Sequence, residues 1–197
     1  MTVAEVQEKM AQSDASLESV RFTYVQEMRS SLTEEVQTSS GIACFKKPRN
    51  LRIEQKEPLP QLIVSSGKYV FIYTPRFKQV LKDSWDRYFS KSSFFPGLIG
   101  FQETMQKLKD RYQWNVAEVS DLNGEKILHL RLKSLGTDTD QMDLWIAQSD
   151  FIPRKAEMVT GTLKVTTTLV ALEKNPSLGP ELFKFERPEE SRVISVP

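Results

Sequence analysis

Hydrophobic residues recur at every second position in run after run of this chain, and that period commits it to sheet. Val20, Phe22, Tyr24 and Met28 alternate with Arg21, Thr23 and Glu27, as on a strand with one apolar and one wet face. Further runs follow at short intervals: Gly41 to Lys46, Asn50 to Gln55, Leu62 to Val64, Tyr69 to Tyr73 and Phe77 to Leu81. After a break they return as Trp114 to Val119, Lys126 to Lys133, Gln141 to Ala147, Pro153 to Val159, Thr162 to Leu172 and finally Leu182 to Phe185. Ser66-Gly67 reads as a hairpin turn, while Lys47-Pro48 and Thr74-Pro75 stop ladders because proline donates no hydrogen bond. About ten or eleven strands joined by short turns predict an antiparallel meander, and that many strands tend to curl.

Two segments break the period. Thr2 with Glu5 three positions later forms a capping box, and Val3, Val6 and Met10 share one side of a helix running to about Ser13. Trp85 to Phe89 has helical character, and Phe94, Phe95, Leu98, Ile99 and Phe101 then crowd around Pro96-Gly97 and Gly100. Glu103 to Lys109 adds a helical turn or two. Such an apolar cluster is most often ordinary core, but a short element broken by Pro96 and Gly97 also suits a movable lid over an apolar cavity. The expected architecture is mainly β with an α lid. It is an incomplete antiparallel β-barrel, covered by the first helix and the central helical insert, in one domain spanning 1–197.

Composition then removes whole classes of function. With 27 basic against 26 acidic residues spread along 197 positions, nothing favours nucleic acid or an acidic membrane surface. One cysteine, Cys44, and one histidine, His129, exclude an internal disulfide and a Cys/His zinc site. His129 falls beside Arg131 on the wet face opposite Leu128, Leu130 and Leu132, which predicts a solvated side chain. Cys44 reads as a small buried hydrophobe. Asp138 and Asp140 lie in a polar loop with no third ligand, and no phosphate-binding glycine pattern occurs. No metal, no cofactor and no enzyme is expected. Met1 leads straight into Thr2-Val3-Ala4-Glu5 without a secretory signal, which fits either a cytosolic protein or one whose leader has been removed.

Two stretches carry a resemblance: Lys46-Lys47-Pro48-Arg49-Asn50-Leu51-Arg52-Ile53-Glu54, and Ile63 to Pro75 with its Ser66-Gly67-Lys68 turn and Tyr73-Thr74-Pro75 ending. Phe45 before the basic pair, Phe22 with Gln26, Pro153-Arg154, and Leu182-Phe183-Lys184-Phe185 with Pro188 extend it over nearly the whole chain. In these features the chain resembles LolA, the family of periplasmic carriers of outer-membrane lipoproteins. The resemblance implies a soluble, non-catalytic carrier that binds acyl chains in a hydrophobic cavity and shuttles lipoproteins from the inner to the outer membrane. It implies a periplasmic location, with the signal peptide removed, and no lipid anchor of its own. Its implied partners are acylated lipoproteins, an inner-membrane lipoprotein-releasing ABC transporter and an outer-membrane acceptor lipoprotein, the carrier being a monomer.

On that reading, Phe22, Tyr24, Leu51, Ile53, Phe71 and Tyr73 from strands line the cavity together with Phe94, Phe95, Leu98 and Ile99 from the insert. Lys47 stands where the family's latch arginine would hold the lid, although lysine lacks the planar fork of donors. Ser66 replaces a turn aspartate and Phe71 a tryptophan. Two other readings stay open: a carrier of another lipid, and a non-catalytic half-barrel that binds or senses a protein partner. An enzyme acting on lipid is the weakest.

Overall fold

The computed structural model describes residues 1–33, 35–91, 108–122, 124–136 and 140–195. Helix α1 (Val3–Ser16) starts as the capping box requires: Thr2 Oγ1 accepts from the Glu5 amide, and the Thr2 amide donates to the Glu5 carboxylate at 2.7 Å. Val6 and Met10 are its buried side, and Leu17 ends it in an extended conformation.

Twelve strands follow among the described residues: β1 (Ser19–Ser30), β2 (Val36–Lys46), β3 (Asn50–Glu57), β4 (Gln61–Ser66), β5 (Tyr69–Thr74), β6 (Gln79–Ser84), β7 (Tyr112–Leu122), β8 (Glu125–Ser134), β9 (Gln141–Ala147), β10 (Pro153–Thr160), β11 (Leu163–Lys174) and β12 (Arg192–Ser195). They form one open sheet in the order β12-β6-β5-β4-β3-β2-β1-β11-β10-β9-β8-β7. Every neighbouring pair whose register is described is antiparallel except β12 with β6, which is parallel. Helix α2 (Trp85–Lys91) follows β6. No helix among the described residues is long and apolar enough to cross a membrane.

Two expected strands are corrected. The run from Leu182 to Phe185 is not a strand: Pro180–Phe183 is a 3-10 turn with proline at its start, and the last strand is instead Arg192–Ser195. Phe77 belongs to another 3-10 turn, Pro75–Phe77, and is exposed rather than opening β6.

The chain divides into two compact, interleaved units. One comprises Met1–Leu17, Gln26–Gln37 and Phe94–Leu169. Its core is a cross-strand ladder in which Leu128 faces Ile146, Leu130 faces Leu144 and Leu132 faces Met142, all buried. Ala156 and Thr167 continue that side through β10 and β11, and the buried Gln26 amide donates to Thr167 Oγ1 at 2.8 Å.

The opposite side of this ladder corrects the reading of His129. It is not solvated: its ring stacks on Trp145 with centroids 4.6 Å apart, and Nε2 donates to Asp143 Oδ1 at 2.6 Å. Asp143 also accepts from Gln141 Nε2 at 2.7 Å and Arg131 Nε at 3.2 Å. Burial pushes the Asp143 carboxyl up, but these bonds outweigh it and hold it below the usual carboxylate range. The histidine completes a polar cross-strand cluster, the sheet counterpart of a hydrophobic pair.

Candidate functional site

The second unit, Glu18–Val25, Thr38–Ser93 and Val170–Pro197, contains most of the expected cavity residues. Its register sorts them. Across β2, β3, β4 and β5, Phe45 faces Leu51, Ala43 faces Ile53, Ile53 faces Ile63 and Ile63 faces Ile72. Side chains two apart share a side, so Phe45, Leu51, Ile53, Ile63, Val70 and Ile72 make one continuous apolar surface, buried throughout except at half-buried Ile72. Phe22 on β1 joins it, its ring stacked on Phe45 at 6.3 Å between centroids.

Tyr24 belongs to the same surface, and Gly41 shows why a glycine is needed there. A Cβ at Gly41 would meet the Glu54 carbonyl oxygen at 2.3 Å and the Tyr24 hydroxyl at 2.9 Å. Burial, and secondarily the nearby Tyr88 of α2, push the Tyr24 phenol far above its usual range, so it stays neutral. Helix α2 is fastened over this side at three points. The Trp85 amide donates to the Lys68 carbonyl at 3.0 Å, Arg87 pairs with Asp83 of β6, and Arg49 Nη2 lies 3.2 Å from Asp86 Oδ1. The Arg49 guanidinium also lies over the Trp85 ring.

Phe71 and Tyr73 are on the other side. They alternate with Val70 and Ile72 along β5, and share their side with Val64 and Val80. The structure therefore brings Phe22, Tyr24, Leu51 and Ile53 together and separates Phe71 and Tyr73 from them. The second side is covered by the C-terminal segment. Phe185 stacks on Phe71 at 4.8 Å, and the turn Pro180–Phe183 packs on β3 and β4, with Phe183 buried.

Here the basic stretch from Lys46 to Arg52 finds its use. Lys46 Nζ donates to the Leu178 carbonyl at 2.7 Å and Arg52 to the Leu182 carbonyl at 3.3 Å. Both bonds fasten the segment to the sheet.

Lys47, half-buried at the β2–β3 turn, donates its amide to the Glu18 carbonyl at 2.9 Å and accepts from Asn50 Nδ2. The peptide joining it to Pro48 is cis. Phe94, Phe95, Leu98 and Ile99 lie outside the described residues, as does Asp138. Cys44 is buried on the side away from Phe45, and burial raises its thiol pKa, which makes it unreactive. No group of metal-ligating side chains occurs among the described residues.

Phe45, Ile63, Val70 and Ile72 are the members of the apolar surface that sequence reading passed over. The available signal was their alternation with Cys44, Leu62, Val64 and Phe71, but alternation alone does not tell which side pairs with Leu51.

The family model of LolA, described as outer membrane lipoprotein carrier protein, matches residues 15–186. A curated outer-membrane lipoprotein carrier protein from Legionella pneumophila (strain Corby) is 28% identical over 161 residues, covering 81% of this chain and 75% of that protein. Among solved structures, an uncharacterized conserved protein from Thermus thermophilus matches with a TM-score of 0.65 at 13% identity, covering 99% of this chain and all of that one. MucB of Pseudomonas aeruginosa, solved with MucA, matches with a TM-score of 0.55 at 13% identity, over 98% of this chain and 63% of its own. Those two likenesses show the fold alone. A family model spanning all but the termini shows more: the chain belongs to the LolA family of outer membrane lipoprotein carrier proteins.

Proposed function

We propose that this chain is a periplasmic carrier that takes the acyl chains of lipoproteins onto the apolar surface of Phe22, Tyr24, Phe45, Leu51, Ile53 and Ile63. The observation that supports it most is that surface itself, a run of large apolar side chains on one side of four strands with α2 fastened over it. Each acyl methylene removed from water is worth ~0.8 kcal/mol, so such chains need cover to cross an aqueous compartment. Lipoproteins arrive from an inner-membrane ABC transporter and leave to an outer-membrane acceptor. The carrier acts as a monomer, in one domain, and contributes no catalysis. Lys47 is proposed as the cation that governs release.

The test is a two-stage assay with purified acylated lipopeptide, scoring loading and release separately, with native mass spectrometry on the loaded protein. The parent chain is expected to bind cargo at 1:1. Leu51→Asp is expected to abolish loading, and Lys47→Leu to load normally and release more slowly. No mass shift and no loading by the parent chain overturns the carrier reading. Normal release by Lys47→Leu overturns only the role of Lys47. A second reading, a module that binds a polypeptide, is favoured by the fold shared with MucB, a protein solved in complex with MucA.

A further inference from the structure

One end of the sheet is β12, a strand of only four residues paired in parallel with β6. The other end is β7, which has 11 residues and, among the described residues, pairs on one side only, with β8. The outer edge of a strand is a template for further pairing, and proteins usually guard such an edge with lysine, proline or a bulge. Residues 112–122 contain no lysine, no arginine and no proline. Their guard is a single register shift between Val116 and Glu118. Helix α1 touches β7, yet Asn115 and every residue from Ala117 to Asp121 are exposed.

The side chains along this edge specify what it would accept. Trp114, Val116 and Val119 lie opposite Leu132, Leu130 and Leu128, the buried row of β8. Burial falls along them, from half-buried Trp114 and Val116 to Val119 at 57% exposure. The apolar row thus reaches the edge strand, where its last member, Val119, is exposed. On the opposite side Glu118 stands across from His129. Asp121, whose Oδ1 accepts from the Gly124 amide, is the second acidic residue of the strand and lies on the Val119 side, opposite Lys126.

This charge pattern discriminates between occupants. Two copies of β7 pairing about Glu118 would set two Glu118 carboxylates against each other with no cation on either strand, which disfavours that self-pairing. An extended segment with apolar residues on one side and lysine or arginine on the other would lengthen the Trp114–Val119 row and neutralise Glu118. We propose that β7 is a docking edge for an extended, cation-bearing strand of a partner polypeptide, which adds to the sheet through main-chain hydrogen bonds. This surface goes beyond the carrier reading and does not depend on acyl binding.

The experiment titrates the whole chain with a peptide of alternating valine and lysine, and reads affinity by calorimetry and position by amide hydrogen exchange. Controls are the valine–glutamate peptide and a backbone N-methylated valine–lysine peptide. Binding at 1:1 with slowed exchange in 112–122, and loss of binding for both controls, is the expected result. Glu118→Lys, an exposed change that leaves the core untouched, is expected to weaken the valine–lysine peptide about tenfold or more. Absence of binding overturns the proposal, as does protection confined to other strands or affinity unchanged in Glu118→Lys. A concentration-dependent dimer in sedimentation with protection of β7 overturns it in favour of self-pairing.

Discussion

Asp143 is the carboxylate on which the polar side of the first unit converges, held by Gln141, His129 and Arg131. Its pKa is lowered in the folded chain, so its contribution to stability is present above the unfolded value of about 3.9 and is lost as pH falls through the folded value. The melting temperature of the parent should therefore fall in acid below about pH 4, and Asp143→Asn should flatten that fall. At neutral pH the same variant should cost about 1–3 kcal/mol, because the histidine and arginine donors lose their charged acceptor. Thermal melts of both proteins across pH check this. An unchanged acid slope in Asp143→Asn means that other carboxylates carry it. The sequence showed His129 beside Arg131, and that neighbourhood is real. What it concealed was Asp143, placed opposite Arg131 only by the β8–β9 register.

At the scale of elements, the C-terminal segment behaves as a strap across the side of β3–β5 that carries Phe71. Its anchors are the Phe71–Phe185 stack, buried Phe183, and the bonds from Lys46 and Arg52 to its carbonyls. Phe185→Ala should destabilise by about 1–3 kcal/mol through lost stacking and burial of a partly covered ring. Its particular signature is local. Amides of 180–186 should exchange faster, while those of β8 and β9 keep the protection of the parent. Uniform loss of protection would mean that the strap is no separate element. Most strands were legible because an alternating run needs no partner to be recognised. The strap and β12 were not legible. Leu182-Phe183-Lys184-Phe185 alternates like a strand, but Pro180 starts a 3-10 turn there, and Arg192–Ser195 becomes a strand only because β6 lies alongside.

For the molecule as a whole, an apolar surface under a fastened helix makes ligand binding and folding linked quantities. If acylated lipopeptide binds the folded chain alone, stability should rise by about 2.7 kcal/mol when free ligand reaches about a hundred times its dissociation constant. The melting temperature should climb with ligand concentration, and a deacylated peptide should leave it unchanged. A flat melting temperature at concentrations where loading is complete would place equal affinity on the unfolded chain. That Phe22 and Tyr24 share one side of their strand, and Leu51 and Ile53 one side of theirs, was legible because alternation marks each strand's apolar side. Phe71 and Tyr73 were grouped with them on the family resemblance, and only the pairing of β4 with β5 places them on the other side.

The parallel pairing of β12 with β6 also fixes an order of events in the life of each chain. Strand β6, Gln79–Ser84, is made long before its outer neighbour, Arg192–Ser195, so this edge stays unfinished while the whole stretch between them is synthesised. The strap over Phe71 arrives equally late. Contacts so far apart in sequence form slowly, and the side of β3–β6 that they cover is exposed to other chains meanwhile. A chain of the lipoprotein carrier family thus passes through a stage in which its own apolar side lies open to water.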